Sequence, residues 1–276
     1  MRSKLRRLSF HALAGGAAAI FTLPLLWAVV ASLRPAGLPP PRTVAWLPDA
    51  VALSNYRDIF TLLPMARYLL NSLLVAAVAV PITVVVASWA GFAMALLPSP
   101  LRGWLVLLAV GLRLVPLTTL WLPRFLIFAK VGLTDTLWAL VAPAWMGTSP
   151  FYVLLFYWSF RRLPSEVFDA ARLDGAGALA TWARVALPLA APTAAAVSAL
   201  SFVHYWSDFI NPLLYLRSDR TYTLAVGLRA LQQLDPTGMP LLLAGAVVML
   251  LPVVALFLSL QRLFWLAEAP ARAQGG

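Results

Sequence analysis

The sequence contains no cysteine, and it has only two histidines among its 276 residues. The lack of cysteine excludes disulfides, iron–sulfur clusters and cysteine zinc sites. His11 and His204 lie too far apart in sequence to form a His-rich metal motif, so we predict no metal site. The only lysines, Lys4 and Lys130, stand outside any Gly-Lys-Ser/Thr phosphate loop. This chain therefore has no P-loop with which to hydrolyse ATP.

Charge is also scarce, because 11% of the residues are charged and 62% are hydrophobic. Soluble domains have about 25% charged residues, so this composition indicates a membrane protein. A spanning helix needs about 20 mostly apolar residues. Six such stretches are present, at 12–32, 69–97, 104–129, 137–160, 185–208 and 241–260. Their Leu, Ala and Val content favours helices over the alternating pattern of a membrane barrel. We predict an all-α, polytopic membrane fold.

The third stretch is the least regular of the six. It contains two arginines and two prolines, namely Arg113, Pro116, Pro123 and Arg124. We expect this span either to be broken or to be shorter than 104–129.

The distribution of basic residues predicts the orientation in the membrane. Four of them precede the first span, namely Arg2, Lys4, Arg6 and Arg7. By the positive-inside rule, residues 1–11 are expected in the cytoplasm, and six spans return the C-terminus there. Loop 161–184 then lies in the cytoplasm as well. The net charge of +11 is scattered between apolar spans, so it does not indicate nucleic-acid binding.

The cytoplasmic loop and the entry to the fifth span read LPSEVFDAARLDGAGALATWARVALPLAAP. Ser165 is expected to be the N-cap of a short helix that runs to Leu173. Gly175 stands where a left-handed residue ends a helix, and a second short helix is expected over 176–186. One face of the first helix is small and shallow, since it consists of Val167, Ala170, Ala171 and Asp174. Such a short helix outside the bilayer is best explained as a piece that docks into a partner's groove.

The pattern Asp169-Ala170-Ala171, Asp174-Gly175-Ala176 and Leu187-Pro188 resembles the EAA loop of ABC importer permeases, and the DAARLDGA form is similar to the carbohydrate-uptake branch. Further similarities are Asn55-Tyr56, Asn71-Ser72, Gly132-Leu133, Thr136-Leu137-Trp138, Trp206-Ser207-Asp208-Phe209, Pro212-Leu213 and Gln261-Arg262. Asp169 replaces the usual Glu, Ser207 replaces the common Asn, and the tail LAEAPARAQGG departs from the family's glycine-rich, lysine-containing ending.

The resemblance implies a type I ABC importer permease fold in the cytoplasmic membrane. Residues 1–276 would form one permease domain, with 69–265 as its core. The residues expected to contact the ATPase are Glu166, Asp169, Ala170, Ala171, Asp174, Gly175 and Ala176. Implied partners are a second homologous permease, two cytoplasmic ATPase subunits and an extracytoplasmic solute-binding protein. ATP and Mg would bind the ATPases, and this non-catalytic chain would hold no cofactor.

The implied solute is a carbohydrate, whether sugar, oligosaccharide, polyol or glycerol phosphate. A permease for a polyamine or an amino acid is the alternative. An ion-coupled secondary transporter is disfavoured because none of the ten acids lies in the middle of a span.

The residues expected to line the translocation path are Arg113, Trp145, Tyr152, His204, Trp206 and Asp208. Arg113 has two interpretations, since it either faces the path or snorkels to the membrane surface. The aromatic residues either stack on sugar rings or pack between helices. His204 and Asp208 are spaced as a proton-shuttle pair, but an interfacial aromatic belt also explains the stretch from His204 to Trp206.

Overall fold

The computed structural model describes residues 2–37, 46–47, 50–234 and 238–273. Every regular element within these ranges is helical, which confirms the all-α prediction. The helices are α1 (Arg2–Ser32), α2 (Ser54–Leu62), α3 (Met65–Leu96), α4 (Ser99–Leu112), α5 (Trp121–Lys130), α6 (Trp138–Val141), α7 (Pro150–Arg161), α8 (Ser165–Leu173), α9 (Ala178–Thr181), α10 (Leu187–Leu189), α11 (Ala191–Trp206), α12 (Ile210–Tyr215), α13 (Leu224–Leu234) and α14 (Met239–Ala273). Two 3₁₀ turns, Leu117–Leu120 and Ala142–Met146, and a π-helical turn, Trp182–Ala186, complete the set.

Four segments are each long and apolar enough to cross a membrane alone: Ser9–Ser32, Met65–Leu96, Trp138–Arg161 and Met239–Ser259. Two more candidates are bent helix pairs, Ser99–Leu112 with Leu117–Lys130 and Ala178–Leu189 with Ala191–Trp206. The described residues thus give six spans when each bent pair counts as one. The prediction of a multi-pass membrane protein is confirmed.

The third span is broken, as its prolines indicate. Helices α4 and α5 meet at a bend of 90°. Helix α4 ends at Leu112, and Pro116 then takes an extended conformation before the 3₁₀ turn. Proline disfavours helix at the preceding residue and lacks the N–H that would continue the ladder. Pro123 lies in the first turn of α5, where its missing N–H costs nothing.

The fifth predicted span, 185–208, is also bent. The helical path turns by 83° between Leu189 and Ala191, so the straight portion begins at Ala191. Pro188 cannot donate a backbone hydrogen bond, and the π-helical turn lies immediately before it. The bend turns Ala178–Leu189 away from α11.

The described chain separates into two compact units, one drawn from 1–66 and 227–252 and the other from 67–226 and 253–276. In the first unit, the Asn55 side-chain amide donates to the carbonyl oxygens of Ser32 and Arg34, at 2.7 and 2.6 Å. These bonds satisfy carbonyls at the C-terminal end of α1. The largest set of polar residues around a cavity and the exposed helical segment 165–189 both lie in the second unit.

Within the second unit, α3 and α7 approach each other closely at Gly91. A Cβ at this position would lie 2.8 Å from the Val153 carbonyl oxygen, the Tyr157 nitrogen and the Phe156 Cβ. Two of these atoms belong to the backbone, so only glycine allows this helix contact. Phe92, Phe156 and Phe160 form part of the apolar core beside it.

Candidate functional site: a polar cavity and an exposed helical segment

A cavity of about 420 Å³ lies within the second unit. The α4–α5 bend, the α6–α7 junction, and helices α11 and α12 all contribute to its wall. Its polar lining residues are Arg113, Arg124, Thr148, Ser149, Tyr152, His204, Tyr205, Asp208, Asn211 and Tyr215. Its volume is within the range of small-molecule sites in proteins.

The bend in the third span supplies both arginines of the cavity. Arg113 follows the last residue of α4, and Arg124 lies in the first turns of α5. One Arg113 nitrogen donates to the Ser149 hydroxyl over a long 3.5 Å. Neither arginine forms an ion pair within 4.0 Å with an acid of the described residues. Both guanidinium groups therefore keep hydrogen-bond donors for another partner.

The α6–α7 junction places hydroxyl groups at the cavity. Gly147 and Thr148 are both left-handed, with φ of 70° and 60°. A β-branched residue in this conformation is unusual, and it is held here by neighbouring hydroxyls. The Thr148 hydroxyl lies 2.5 Å from that of Thr83 and 2.6 Å from that of Tyr205. This chain of hydroxyls joins α3, the junction and α11.

Helix α12 begins beside the cavity, and Asp208 lies two residues before its first residue, Ile210. The Asp208 carboxylate accepts from the Asn211 backbone N–H at 3.2 Å and from the Asn211 side-chain amide at 2.8 Å. The Asn211 Oδ1 atom and the Tyr215 hydroxyl are buried and have no hydrogen-bond partner within the described part of the chain. The Arg124 guanidinium approaches the Tyr215 hydroxyl as a donor, but the contact falls outside strict hydrogen-bond geometry. Unpaired buried polar atoms are costly, so both are suited to a ligand.

Asp135, in the loop before α6, holds the segment that directly follows α12. No sequence pattern indicated this role. Asp135 Oδ1 accepts from the backbone N–H groups of Arg217 and Ser218 at 3.0 Å each. It also accepts from the Ser218 hydroxyl at 3.0 Å and the Thr221 hydroxyl at 2.7 Å. These donors, with the Arg217 N–H foremost, hold the pKa of Asp135 well below its usual range. The Asp135 N–H in turn donates to the Tyr215 carbonyl at 2.8 Å.

Four of the six residues predicted for the translocation path line the cavity, namely Arg113, Tyr152, His204 and Asp208. Two do not. Trp145 is 64% exposed, because the neighbouring Ala144 takes the buried side of the 3₁₀ turn. Trp206 is 2% exposed and stacks on Phe202, with ring centres 5.5 Å apart. It packs against its own helix, on a different side from the cavity-lining Tyr205.

Sequence reasoning did not assign Arg124, Thr148, Ser149, Asn211 or Tyr215 to the site. Arg124 was noted only as an irregularity of the third span. Polar residues beside prolines in an otherwise apolar stretch, such as Thr148-Ser149-Pro150, are the signal that marks such breaks. Asn211 and Tyr215 come close to Arg124 only through tertiary structure.

The exposed segment is the helix–bend–helix between α7 and α11. Helix α8 covers Ser165–Leu173, as predicted, but Pro164 is its N-cap and Ser165 is its first helical residue. The Ser165 N-cap prediction is therefore wrong. Gly175 is left-handed, with φ of 75°, as predicted. Gly175 N–H donates to the Arg172 carbonyl at 3.0 Å and Ala176 N–H to the Ala171 carbonyl at 2.9 Å, which is a Schellman motif.

Aromatic side chains anchor this segment to α3. Phe168 of α8 contacts Phe92, with ring centres 6.1 Å apart. Trp182 packs edge-on against Trp89 at 5.2 Å, and its ring N–H donates to the Ser88 hydroxyl at 3.3 Å. Helix α8 and the π-helical turn that follows α9 are therefore attached to the same end of α3.

The other face of the segment is open to solvent. Of the predicted contact residues, Glu166, Asp169, Ala170, Asp174 and Gly175 are exposed, and Ala176 is partly exposed. Ala171 is 7% exposed, so it contributes to packing and not to the open face. Asp169 forms an exposed 3.2 Å ion pair with Arg172. Leu173 and Leu179, on either side of the bend, are 89% and 63% exposed.

A multi-pass helical membrane protein with a polar cavity between bent spans has the architecture of a solute-permeation subunit. The chain belongs to the family described as binding-protein-dependent transport system inner membrane component, whose model matches residues 84–265. It is a permease component of an ABC importer and a non-catalytic membrane subunit.

Similar proteins are themselves permease proteins of transport systems. The chain is 32% identical to the arabinooligosaccharides transport system permease protein AraQ of Halalkalibacterium halodurans, over 89% of this chain and 88% of the relative. It is 28% identical to the sulfoquinovosyl glycerol transport system permease protein SmoH of Agrobacterium fabrum, over 86% and 84% of the two chains.

The fold also matches a solved structure, a bacterial ABC transporter involved in the import of the acidic polysaccharide alginate. The TM-score is 0.73 at 19% identity, and the match covers 95% of this chain and 98% of that one. The predicted fold class is thus confirmed.

Proposed function

We propose that this chain is the permease subunit of an ATP-driven importer that carries a carbohydrate across the cytoplasmic membrane. The observation that supports this most strongly is the cavity of the second unit. It combines aromatic side chains with unpaired hydrogen-bonding atoms, the pattern expected for a polyhydroxylated solute. The named substrates of the relatives, arabinooligosaccharides and sulfoquinovosyl glycerol, support the same class.

The cavity's chemistry suits sugar hydroxyls. Asn211 Oδ1 is an acceptor without a partner, and the Tyr215 hydroxyl is able to donate or accept. Trp121, Phe151 and Tyr152 provide apolar ring surface in the same wall. A polyamine fits less well, because the arginines would repel a polycation.

The proposed assembly contains a second homologous permease, two cytoplasmic ATPase subunits and an extracytoplasmic solute-binding protein. ATP and Mg bind the ATPases in this proposal, since this chain lacks a phosphate loop. Residues 1–276 act as one permease domain with a core at 69–265. Both termini and loop 161–184 face the cytoplasm, in keeping with the basic N-terminus.

We further propose that the exposed segment receives the ATPase. Its contact face comprises Glu166, Asp169, Ala170, Asp174, Gly175 and Ala176, together with Leu173 and Leu179. Ala171 is buried beneath this face and packs against the rest of the protein. Because Phe168 and Trp182 fasten the segment to α3, a displacement by the ATPase moves α3 as a rigid body.

The test identifies the ligand of the solute-binding protein that stimulates ATP hydrolysis by the reconstituted complex. That protein is screened by thermal shift and calorimetry against sugars, oligosaccharides, polyols, amino acids and polyamines, and uptake of the ligand is then measured in proteoliposomes. We expect a carbohydrate to raise the melting temperature and to be taken up with ATP. An amino acid or polyamine as the transported ligand would overturn the carbohydrate assignment.

A further inference from the structure

The cavity is lined by more cationic side chains than anionic ones. Two guanidinium groups, Arg113 and Arg124, line it together with a single carboxylate, Asp208. Both carboxylate oxygens of Asp208 already accept hydrogen bonds from Asn211 at the start of α12. Neither arginine has an acid of the described chain within ion-pair distance. The cavity therefore has a net positive charge, because its two arginines outnumber its one carboxylate.

Such charge is expensive inside a membrane-embedded protein. An arginine within a span normally faces a partner or a water-filled path. Hydroxyl groups of a neutral sugar satisfy guanidinium donors, but they do not balance the charge. A carboxylate, sulfonate or phosphate does both, because its oxygens accept the paired N–H groups of arginine.

The surroundings of Arg124 indicate where such a solute binds. The Tyr215 hydroxyl belongs to a side chain that is 1% exposed, and Arg124 approaches it without reaching strict hydrogen-bond geometry. Asn211 Oδ1, also unpaired, lines the same cavity. A cation beside a free hydroxyl and a free amide oxygen matches a solute with an anionic group next to hydroxyl groups.

We propose that the carbohydrate carried through this cavity has an anionic group, which Arg113 and Arg124 bind while Asn211 and Tyr215 bind neighbouring hydroxyls. This proposal depends on the carbohydrate function proposed above. It narrows that function to acidic sugars, such as uronates, sulfonated sugars or sugar phosphates.

The experiment measures binding to the full-length chain in lipid nanodiscs, using digalacturonate and its dimethyl ester. The two compounds differ in charge and hardly in size. Quenching of tryptophan fluorescence reports binding, since Trp121 lines the cavity, and calorimetry confirms the affinity. Glucose 6-phosphate is a third probe that distinguishes phosphate from carboxylate recognition. We expect an acidic probe to bind at least about tenfold more tightly than the ester, because hydrogen bonds from arginine to a charged acceptor are stronger than those to a neutral one.

Substitutions of the two arginines test whether these residues cause the preference for the acid. Arg113→Gln and Arg124→Gln should each reduce the preference for the acid about tenfold, while Arg113→Lys and Arg124→Lys should keep part of it. Arg102→Gln is the matched control, because Arg102 belongs to α4 but is not among the cavity-lining residues. Repeating the assay with and without phosphatidylglycerol tests whether a lipid phosphate occupies the arginines.

Equal binding of the acid and the ester would overturn the anion proposal and leave the carbohydrate function standing. So would wild-type preference in both glutamine variants, or loss of the preference in phosphatidylglycerol nanodiscs. Arginine-dependent binding of glutamate, with no binding of any sugar probe, would overturn the carbohydrate function itself. Absence of saturable binding of all probes would overturn this cavity as the solute site.

Discussion

At the scale of single residues, Gly175 is the position where backbone conformation matters most for the exposed segment. Its φ of 75° is one that residues with a Cβ rarely adopt, and its surroundings are open, with no atom within 4 Å of an added Cβ. A substitution there strains the backbone without disturbing any packed side chain. The bend between α8 and α9 is thus separable from the stability of the membrane spans.

We predict that Gly175→Leu leaves the protein in the membrane but uncouples or detaches the ATPases, and that Gly175→Ala has the same effect more weakly. Strain of about 1–2 kcal/mol opposes the Schellman geometry. The measurement is co-purification of the ATPases together with ATP-driven uptake. Gly177→Ala is the control, because Gly177 is extended, with φ of −69°, and also has open space around it. Wild-type coupling in Gly175→Leu would refute the role of the bend.

Asp135 is the second residue with a specific consequence, because one of its oxygens receives four hydrogen bonds from the segment that follows α12. These bonds lower the pKa of Asp135. A lowered pKa stabilises the folded state at a pH above the unfolded value, which is about 3.9 for Asp. That contribution decreases as the pH falls below about 4.

We expect Asp135→Asn to cost about 1 kcal/mol at pH 7, because the charge is lost while the side-chain oxygen and the left-handed backbone, with φ of 59°, are both tolerated. Asp135→Ala should cost more, since it removes every acceptor. Thermal unfolding in detergent between pH 3.5 and 7.5 measures the difference. The gap between wild type and Asp135→Asn should narrow towards low pH, and a gap that widens there would show that the carboxylate is not charged.

Neighbouring residues in the sequence predict the structural role of some of these residues but not of others. The left-handed Gly175 follows from its place after a short helix, which is a nearest-neighbour effect. Asp135 and Arg217 are distant in sequence, and no local pattern predicts their pairing. The cavity residues divide in the same way, because Arg113 and Asp208 stand out by charge while Asn211 and Tyr215 do not.

At the scale of helices, proline placement explains where spans bend. The broken third span was expected from Pro116 and from two arginines that a continuous buried helix would not accommodate. The 83° bend before Ala191 was not predicted, although Pro188 and Pro192 mark the entry to this span in the sequence. Hydrophobicity predicts that a segment enters the bilayer but does not predict its direction.

Packing between α3 and α7 depends on Gly91. We predict that Gly91→Ala destabilises the protein by about 1–3 kcal/mol, because its Cβ would meet backbone atoms at 2.8 Å that cannot move independently. Gly103→Ala is the control, since Gly103 lies in α4 with no atom within 4 Å of an added Cβ. Size-exclusion thermostability in detergent is the measurement. A Gly91→Ala protein as stable as the control would show that the two helices do not approach this closely.

At the scale of the whole molecule, α3 connects the exposed segment to the cavity. Ser88, Trp89 and Phe92 hold the segment, and Thr83 bonds to the cavity residue Thr148 at 2.5 Å. Nine residues of helix separate Thr83 from Phe92, which is about 14 Å at 1.5 Å per residue. A movement of the segment therefore reaches the cavity through a single rigid helix.

The most direct measurement is cysteine cross-linking in the assembled importer, which is favourable because the chain has no cysteine of its own. Leu173→Cys, on the exposed segment, should cross-link to an ATPase subunit, with a yield that changes when ATP is added. Asp219→Cys, exposed in the loop after α12, should not cross-link to it. A cross-link from Asp219→Cys and none from Leu173→Cys would contradict both the proposed orientation and the proposed route by which ATP hydrolysis drives transport.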